Sequence, residues 1–239
     1  MRDRLPLLAG LGLLALAVGL GSYFIAGGIR DRNRDDVITV TGSAKKRIVS
    51  DTIVWDLSLR SDDVDPAAAL TQLNRWTKQV RAYLRTQGVR PGELTIQPIS
   101  TLLPGSTDDS GQTIAFFRLT RDFEIDSTRV RRIAAIAEHS SSLLAVGVPL
   151  ESDPLQYVFT KLPKLRPELV AAALRDAQVR ARAVAGATGA KIGGLRGVDV
   201  GVFQVTSPNS TNVSDYGEYD TTTLPKDVTA VVNATFALR

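Results

Sequence analysis

Residues 155–205 read LQYVFTKLPKLRPELVAAALRDAQVRARAVAGATGAKIGGLRGVDVGVFQV. Tyr157, Phe159 and Leu162 make a short apolar run that reads as a strand. Pro163 or Pro167 fits the first turn of a helix, where the backbone has no N–H partner to lose. Val170, Leu174, Ala177, Ala181, Val184 and Thr188 then recur at helical spacing and predict a buried stripe. Alanines on that stripe let the helix lie close to a sheet. Gly186 and Gly189 stop the helix, and residues 195–205 read as a second strand.

The same order stands upstream. Ile53, Trp55, Leu57 and Leu59 alternate with smaller or polar residues and predict a strand. Asp65-Pro66 opens a helix whose stripe is Leu70, Leu73, Thr77, Val80 and Leu84, and Gly88 ends it. A strand over 94–102 is interrupted by Pro98, and residues 104–111 form a polar loop before the alternating strand 113–125. Asp126-Ser127-Thr128 predicts the cap of a second helix through His139, and residues 143–148 are strand-like. Downstream of the quoted stretch, a polar loop over 206–223 leads to a closing strand over 228–238. Strand, helix, strand, loop, strand therefore occurs twice, in halves near 53–126 and 155–239, which suggests duplication of one supersecondary unit. The expected fold is α+β: a duplicated strand-helix-strand-strand domain over 37–239, with mixed sheets in which right-handed crossovers precede antiparallel pairs. Residues 37–43 (VITVTGS) supply a strand ahead of both halves.

Upstream of that strand, Leu5 to Ile29 carries no charge and is long enough to span a bilayer. Arg30, Arg32 and Arg34 follow it, and the run exceeds the usual core of a signal peptide. The expectation is a transmembrane signal-anchor over 1–29 and a charged linker over 30–36, with a cleaved signal peptide as the alternative. Arg2 and Arg4 face the three later arginines, so the charge asymmetry gives no orientation. A short N-terminal flank on a single span favours a bulk domain outside the cytoplasm. The expected location is thus a bacterial inner membrane, single-pass, with the domain in the periplasm.

Composition removes several chemistries. The chain has no Cys, which excludes disulfides and thiolate sites, and a single His, which makes a zinc site improbable. The net charge of +4 is spread among interspersed acids, so nucleic acid is not an expected partner. His139 precedes Ser140-Ser141-Ser142 and reads as a polar helix terminus rather than a triad member. Gly186-Ala187-Thr188-Gly189-Ala190-Lys191 follows a helix instead of preceding one, the reverse of a phosphate loop.

Several elements together resemble the SIMPL-domain family of bacterial envelope proteins, a domain of unknown function. They are Ile38-Thr39-Val40-Thr41-Gly42, Asp51 with Trp55, Phe159-Thr160-Lys161-Leu162 and Leu165-Arg166-Pro167-Glu168. Ala173, Asp176, Ala177, Arg180 and Ala181 resemble the core of the family's main helix, and Gly189, Gly193 and Gly201-Val202-Phe203-Gln204-Val205 complete the likeness. The resemblance implies an α+β fold in the periplasm or on the outer membrane face. It implies relatives that include a periplasmic immunogenic protein forming ring-like oligomers and proteins linked to oxidative-stress defence. It supplies no catalytic residues.

No cofactor, metal or catalytic set is therefore expected, and the chain is read as not an enzyme. The expected function is a membrane-anchored envelope protein that self-assembles as a homo-oligomer. The alternative is a binding module for a small ligand or partner protein, working through the 104–111 and 206–223 loops. Asp215, Tyr216, Glu218, Tyr219 and Asp220 form the candidate interaction loop, because exposed tyrosines give contact area at low entropy cost. Asp108 and Asp109 sit on the corresponding loop of the first half. Arg129, Arg131 and Arg132, and separately Arg175, Arg180 and Arg182, read as solvated helix faces, with acidic or lipid surfaces as the alternative.

Overall fold

The computed structural model describes residues 36–210 and 216–239. The expected anchor and most of the linker lie outside those residues, as does Asp215. Among the described residues no helix is long and apolar enough to cross a membrane. The fold is α+β. Its strands are β1 (Val37–Val49), β2 (Thr52–Asp63), β3 (Leu94–Ile96), β4 (Ser100–Leu102), β5 (Phe117–Ser127), β6 (Leu150–Ser152), β7 (Gln156–Val158), β8 (Ile192–Val200), β9 (Gln204–Thr206) and β10 (Pro225–Leu238). Its helices are α1 (Pro66–Thr86), α2 (Val130–Glu138), α3 (Ser142–Ala145) and α4 (Leu162–Ala187).

Two compact units result. One holds the described residues up to Ala44 with Glu168–Val202 and Ala230–Arg239; the other holds Lys45–Pro167 and Phe203–Thr229. The boundary falls inside β1, α4 and β10.

The larger unit is built on a sheet of order β3-β5-β2-β6, with β4 also pairing β5 and β7 also pairing β2. Alternation in β2 buries Ile53, Trp55, Leu57 and Leu59 on one face. Leu73, Val80 and Leu84 of α1 and Ile133 and Ile136 of α2 join the same core. Asp65 caps α1, its carboxylate accepting from the Ala67 N–H at 2.9 Å, and Gly88 closes the exit with φ of 93°. Pro98 separates β3 from β4, as the sequence predicts.

Two local expectations are corrected. The cap of α2 is Arg129, with Ser127 Oγ accepting the Arg129 N–H at 3.0 Å, so Asp126 and Ser127 end β5 and Thr128 lies in the bend that follows, rather than starting the helix. Residues 143–148 form the short α3 and a turn instead of a strand. The hydroxyls of Ser140 and Ser142 bond back to the carbonyls of Ala137 and His139, which keeps the chain coiled.

The smaller unit carries the sheet β1-β10-β8. Here α4 buries Ala173, Ala177, Ala181 and Ala185, one residue per turn. The expected stripe is thus right at Ala177 and Ala181, holds in part at Leu174, which packs against them, and fails at Val184, which is exposed. The reason is distance. A Cβ on Gly42 of β1 would stand 2.2 Å from the Ala173 carbonyl oxygen and 2.4 Å from the Ala177 nitrogen. At that separation only alanine fits between helix and strand.

In place of the expected mixed sheets, β10 with β8 and β9, β2 with β5, β6 and β7, and β5 with β3 and β4 are all antiparallel pairs. The hairpin strand inserts between the two strands that a crossover joins: β5 lies between β2 and β3, and β10 lies beside β8. The other flank of β10 is taken by β1, not by β7. Thr39 meets Thr235, and Thr41 meets Asn233, so partner numbers fall as β1 advances. The three-residue β7 pairs instead with the start of β2.

Candidate functional site

The residues that carry the family likeness turn out to hold the scaffold. Asp176 on α4 accepts the Ser43 N–H at 2.8 Å and pairs with Arg180 Nε at 2.8 Å, which ties β1 to the helix. Asp51 accepts from the Thr160 N–H at 2.8 Å and the Thr160 hydroxyl at 3.1 Å, with Lys161 Nζ at 3.4 Å. Burial works against the Asp51 charge, but these donors hold its pKa below the ordinary carboxylate value. Trp55 donates its Nε1–H to Ser152 Oγ at 2.8 Å. Gly193 has Ala237 and Arg239 within 3.2 Å of where a Cβ would be.

The candidate loop is likewise built into the fold. The Tyr219 hydroxyl donates to the Phe159 carbonyl and accepts the Phe159 N–H, both at 3.0 Å. The backbone of Glu218 and Asp220 bonds both sides of Val205. Asp220 gathers the hydroxyls of Thr222 and Thr223 and the ammonium of Lys226, at 3.3 Å from the last. Burial opposes the Asp220 charge, yet Thr223, Thr222 and Lys226 keep its pKa well below normal. Lys226 is fully buried, and that burial lowers its own pKa. Tyr216 is the most exposed of this group, at 98%, and Tyr219 keeps 42% of its surface open although its hydroxyl is bonded.

The first loop is organised around Asp108. Its carboxylate accepts from the Ser110 hydroxyl at 2.6 Å, the Gln112 N–H at 3.1 Å and Arg118 Nη1 at 3.0 Å, and the Ser110 hydroxyl leads the donors that hold its pKa to about 2. Asp109 stays exposed. His139 bonds through Nδ1 to the Ala135 carbonyl at 2.7 Å, as a helix-terminal residue does. Gly189, with φ of 77°, turns the chain out of α4. Among the described residues no group of three or more His, Asp or Glu is placed to hold a metal.

The surface that stands out lies in the smaller unit. Register pairs Leu195, Val198 and Val200 of β8 with Phe236, Ala234 and Val232 of β10, so they belong to the helix-facing side of the sheet. Phe236, Ala234 and Val232 are buried, but Leu195, Val198 and Val200 are 47%, 42% and 45% exposed. Among the described residues α4 is the helix on this sheet; it packs over β1, β10 and the Ile192 end of β8, and leaves Leu195, Val198 and Val200 in part exposed. Between α4 and β8 runs a groove of about 410 Å³ lined by Leu174, Gln178, Leu195 and Phe236. The sheet of the larger unit has α1 and α2 packed on it, whereas among the described residues the second half shows no counterpart of α2. β8 is also a sheet edge. Its stretch in step with β10 is Gly197–Val200, and register shifts follow on the Leu195 side. Sequence reasoning did not single out these residues: alternation marks a face as apolar, not whether a helix covers it.

The family model SIMPL, described as a protein of unknown function (DUF541), matches residues 38–236. No curated protein matches the chain. Among solved structures, the de novo designed protein Foldit4 aligns at 10% identity over 43% of this chain and 93% of its own, with a TM-score of 0.23, a likeness too slight to bear on the fold.

Proposed function

The chain belongs to the SIMPL family, and from that premise we propose that it is a non-enzymatic, membrane-anchored envelope protein whose domain self-associates through the part-exposed β8 face. The observation that carries this reading is the row Leu195, Val198 and Val200, apolar, helix-facing and nearly half exposed. Exposed apolar rows beside an unpaired strand edge favour association. A second copy of the chain is the occupant, because the edge is self-complementary in charge. Arg196 and Asp199 stand on it without an ion pair among the described residues, and a two-fold related antiparallel copy brings each near its opposite. The uncharged run from Leu5 to Ile29 supports a single-pass anchor in a bacterial inner membrane with the domain on the periplasmic side. A part in envelope or oxidative stress follows from the resemblance alone.

The alternative, a binding module acting through 104–111 and 206–223, gains less support. Asp108, Tyr219 and Asp220 spend their polar atoms on neighbouring chain. The test is the mass of the detergent-solubilised protein, and of residues 36–239, by light scattering. A dimer or larger assembly that Val198→Asp dissociates is the expected result. A strict monomer in both preparations removes the assembly.

A further inference from the structure

We propose that the larger unit carries an oxyanion site, suited to a phosphate group, in the cavity at the N-terminus of α2. The cavity has a volume of about 670 Å³. Its lining holds four cationic side chains, Arg129, Arg131, Arg132 and Lys161, against one carboxylate, Asp51.

Three of these cations have work elsewhere. Arg129 is bonded to Glu93 and to the Gly88 carbonyl, Arg132 to the Gln87 carbonyl, and Lys161 to Asp51. Arg131 is exposed at the cavity and has no such partner among the described residues. The carboxylate is already met by the Thr160 N–H and hydroxyl as well as Lys161, so its charge is largely answered. The first turn of α2 adds donors. The cap of α2 has no side-chain hydrogen bond, and backbone bonding within the turn begins with the N–H groups of Arg132 and Ile133 to the Arg129 carbonyl. The Val130 and Arg131 N–H groups are left for a ligand, and the helix dipole favours a negative one.

A second, independent observation points the same way. Ser50 lines this cavity, is 4% exposed, and its Oγ has no hydrogen-bond partner. A buried hydroxyl without a partner is costly, and native structures rarely keep one. An oxyanion seated at the helix terminus supplies the missing acceptor. The apolar walls, Val49, Val130 and Leu224, suit a phosphate carried on an apolar body, either a soluble phosphorylated molecule or a phospholipid headgroup.

The test follows the Val130 and Arg131 amide resonances of the full chain in neutral detergent while inorganic phosphate replaces chloride at constant ionic strength. Saturable shifts at both amides are expected. Arg131→Ala and Ser50→Ala should each weaken the response about tenfold, the loss of one charge-assisted hydrogen bond, and Arg175→Ala on α4 should leave it unchanged. A parallel arm measures Arg131-dependent binding to phosphatidylcholine vesicles with and without phosphatidate. Saturation by free phosphate assigns a soluble ligand, and a vesicle response without it assigns a headgroup. No saturable response in either arm, or an equal loss in Arg175→Ala, overturns the site.

Discussion

Gly42→Ala adds one methyl group at the tightest point of the smaller unit. The new Cβ would lie 2.2 Å from the Ala173 carbonyl oxygen, 2.4 Å from the Ala177 nitrogen and 2.7 Å from the Ala177 Cβ. Two of these three neighbours are backbone atoms, which no rotamer change can move. Reaching ordinary contact at 3.4 Å requires the helix to back away by about 1.2 Å, which loosens the whole alanine stripe. Overpacking costs about 1–3 kcal/mol, and a backbone clash belongs at the upper end. The reduced freedom of the unfolded chain returns about 0.5 kcal/mol. The net expectation is a loss of about 2–3 kcal/mol. Both tryptophans, Trp55 and Trp76, lie in the larger unit, so their fluorescence is a poor reporter. Amide exchange at Ser43, whose N–H is held by Asp176, reads the right place. Gly186→Ala is the control: nothing lies within 4 Å of that position, and the change should stabilise α4 by about 0.5–1 kcal/mol. Exchange at Ser43 that is slowed or unchanged in Gly42→Ala would refute the close-approach argument.

Asp176→Ala removes the Ser43 bond and the Arg180 pair together; a loss of about 1–2 kcal/mol is expected, read as faster Ser43 exchange with little change in tryptophan fluorescence. Glu93 is held at a pKa of about 2, against 4.5 normally, chiefly by the Arg129 hydrogen bond. Its folded pKa is depressed, so the stabilisation is full above pH 4.5 and is lost as pH falls toward 2. It amounts to about 3 kcal/mol at most, and Glu93→Gln should flatten that part of the acid-unfolding curve followed by Trp55 emission. Lys226→Met strands Asp220 with one cation fewer and should cost about 3 kcal/mol in urea unfolding. Adding Asp220→Asn should recover part of that loss, and strict additivity of the two changes would count against a coupled pair.

How far the sequence could be read depended on whether the cause was local. The start of α1 is written in Asp65-Pro66, and the break between β3 and β4 in Pro98, because each acts on its own backbone. The alternation of β2 is equally local and names its buried face correctly. The Ala177 and Ala181 positions follow from helical period, but Ala173 joins them because of Gly42, which lies more than a hundred residues away. The hydroxyl of Tyr219 finds Phe159 across 60 residues, and no spacing announces that pairing. Likewise Leu195, Val198 and Val200 alternate as any half-buried strand does. Their exposure is decided by which helix covers the sheet, a property of topology rather than of pattern. Ser50 is a plain serine in the sequence and becomes notable only through what surrounds its hydroxyl.

The position of β10 in its sheet has a kinetic meaning. Its side-chain bonds to β1 join residues 180 to 196 positions apart. During synthesis β1 leaves the ribosome early and must remain without its partner until nearly the whole chain has followed. Non-local closure of this kind is slow and leaves strand edges open to wrong pairings. The larger unit, whose β2, α1 and β5 are closer in sequence, can condense first. The smaller unit is then completed last, and until it closes β1 is the strand most open to wrong pairing.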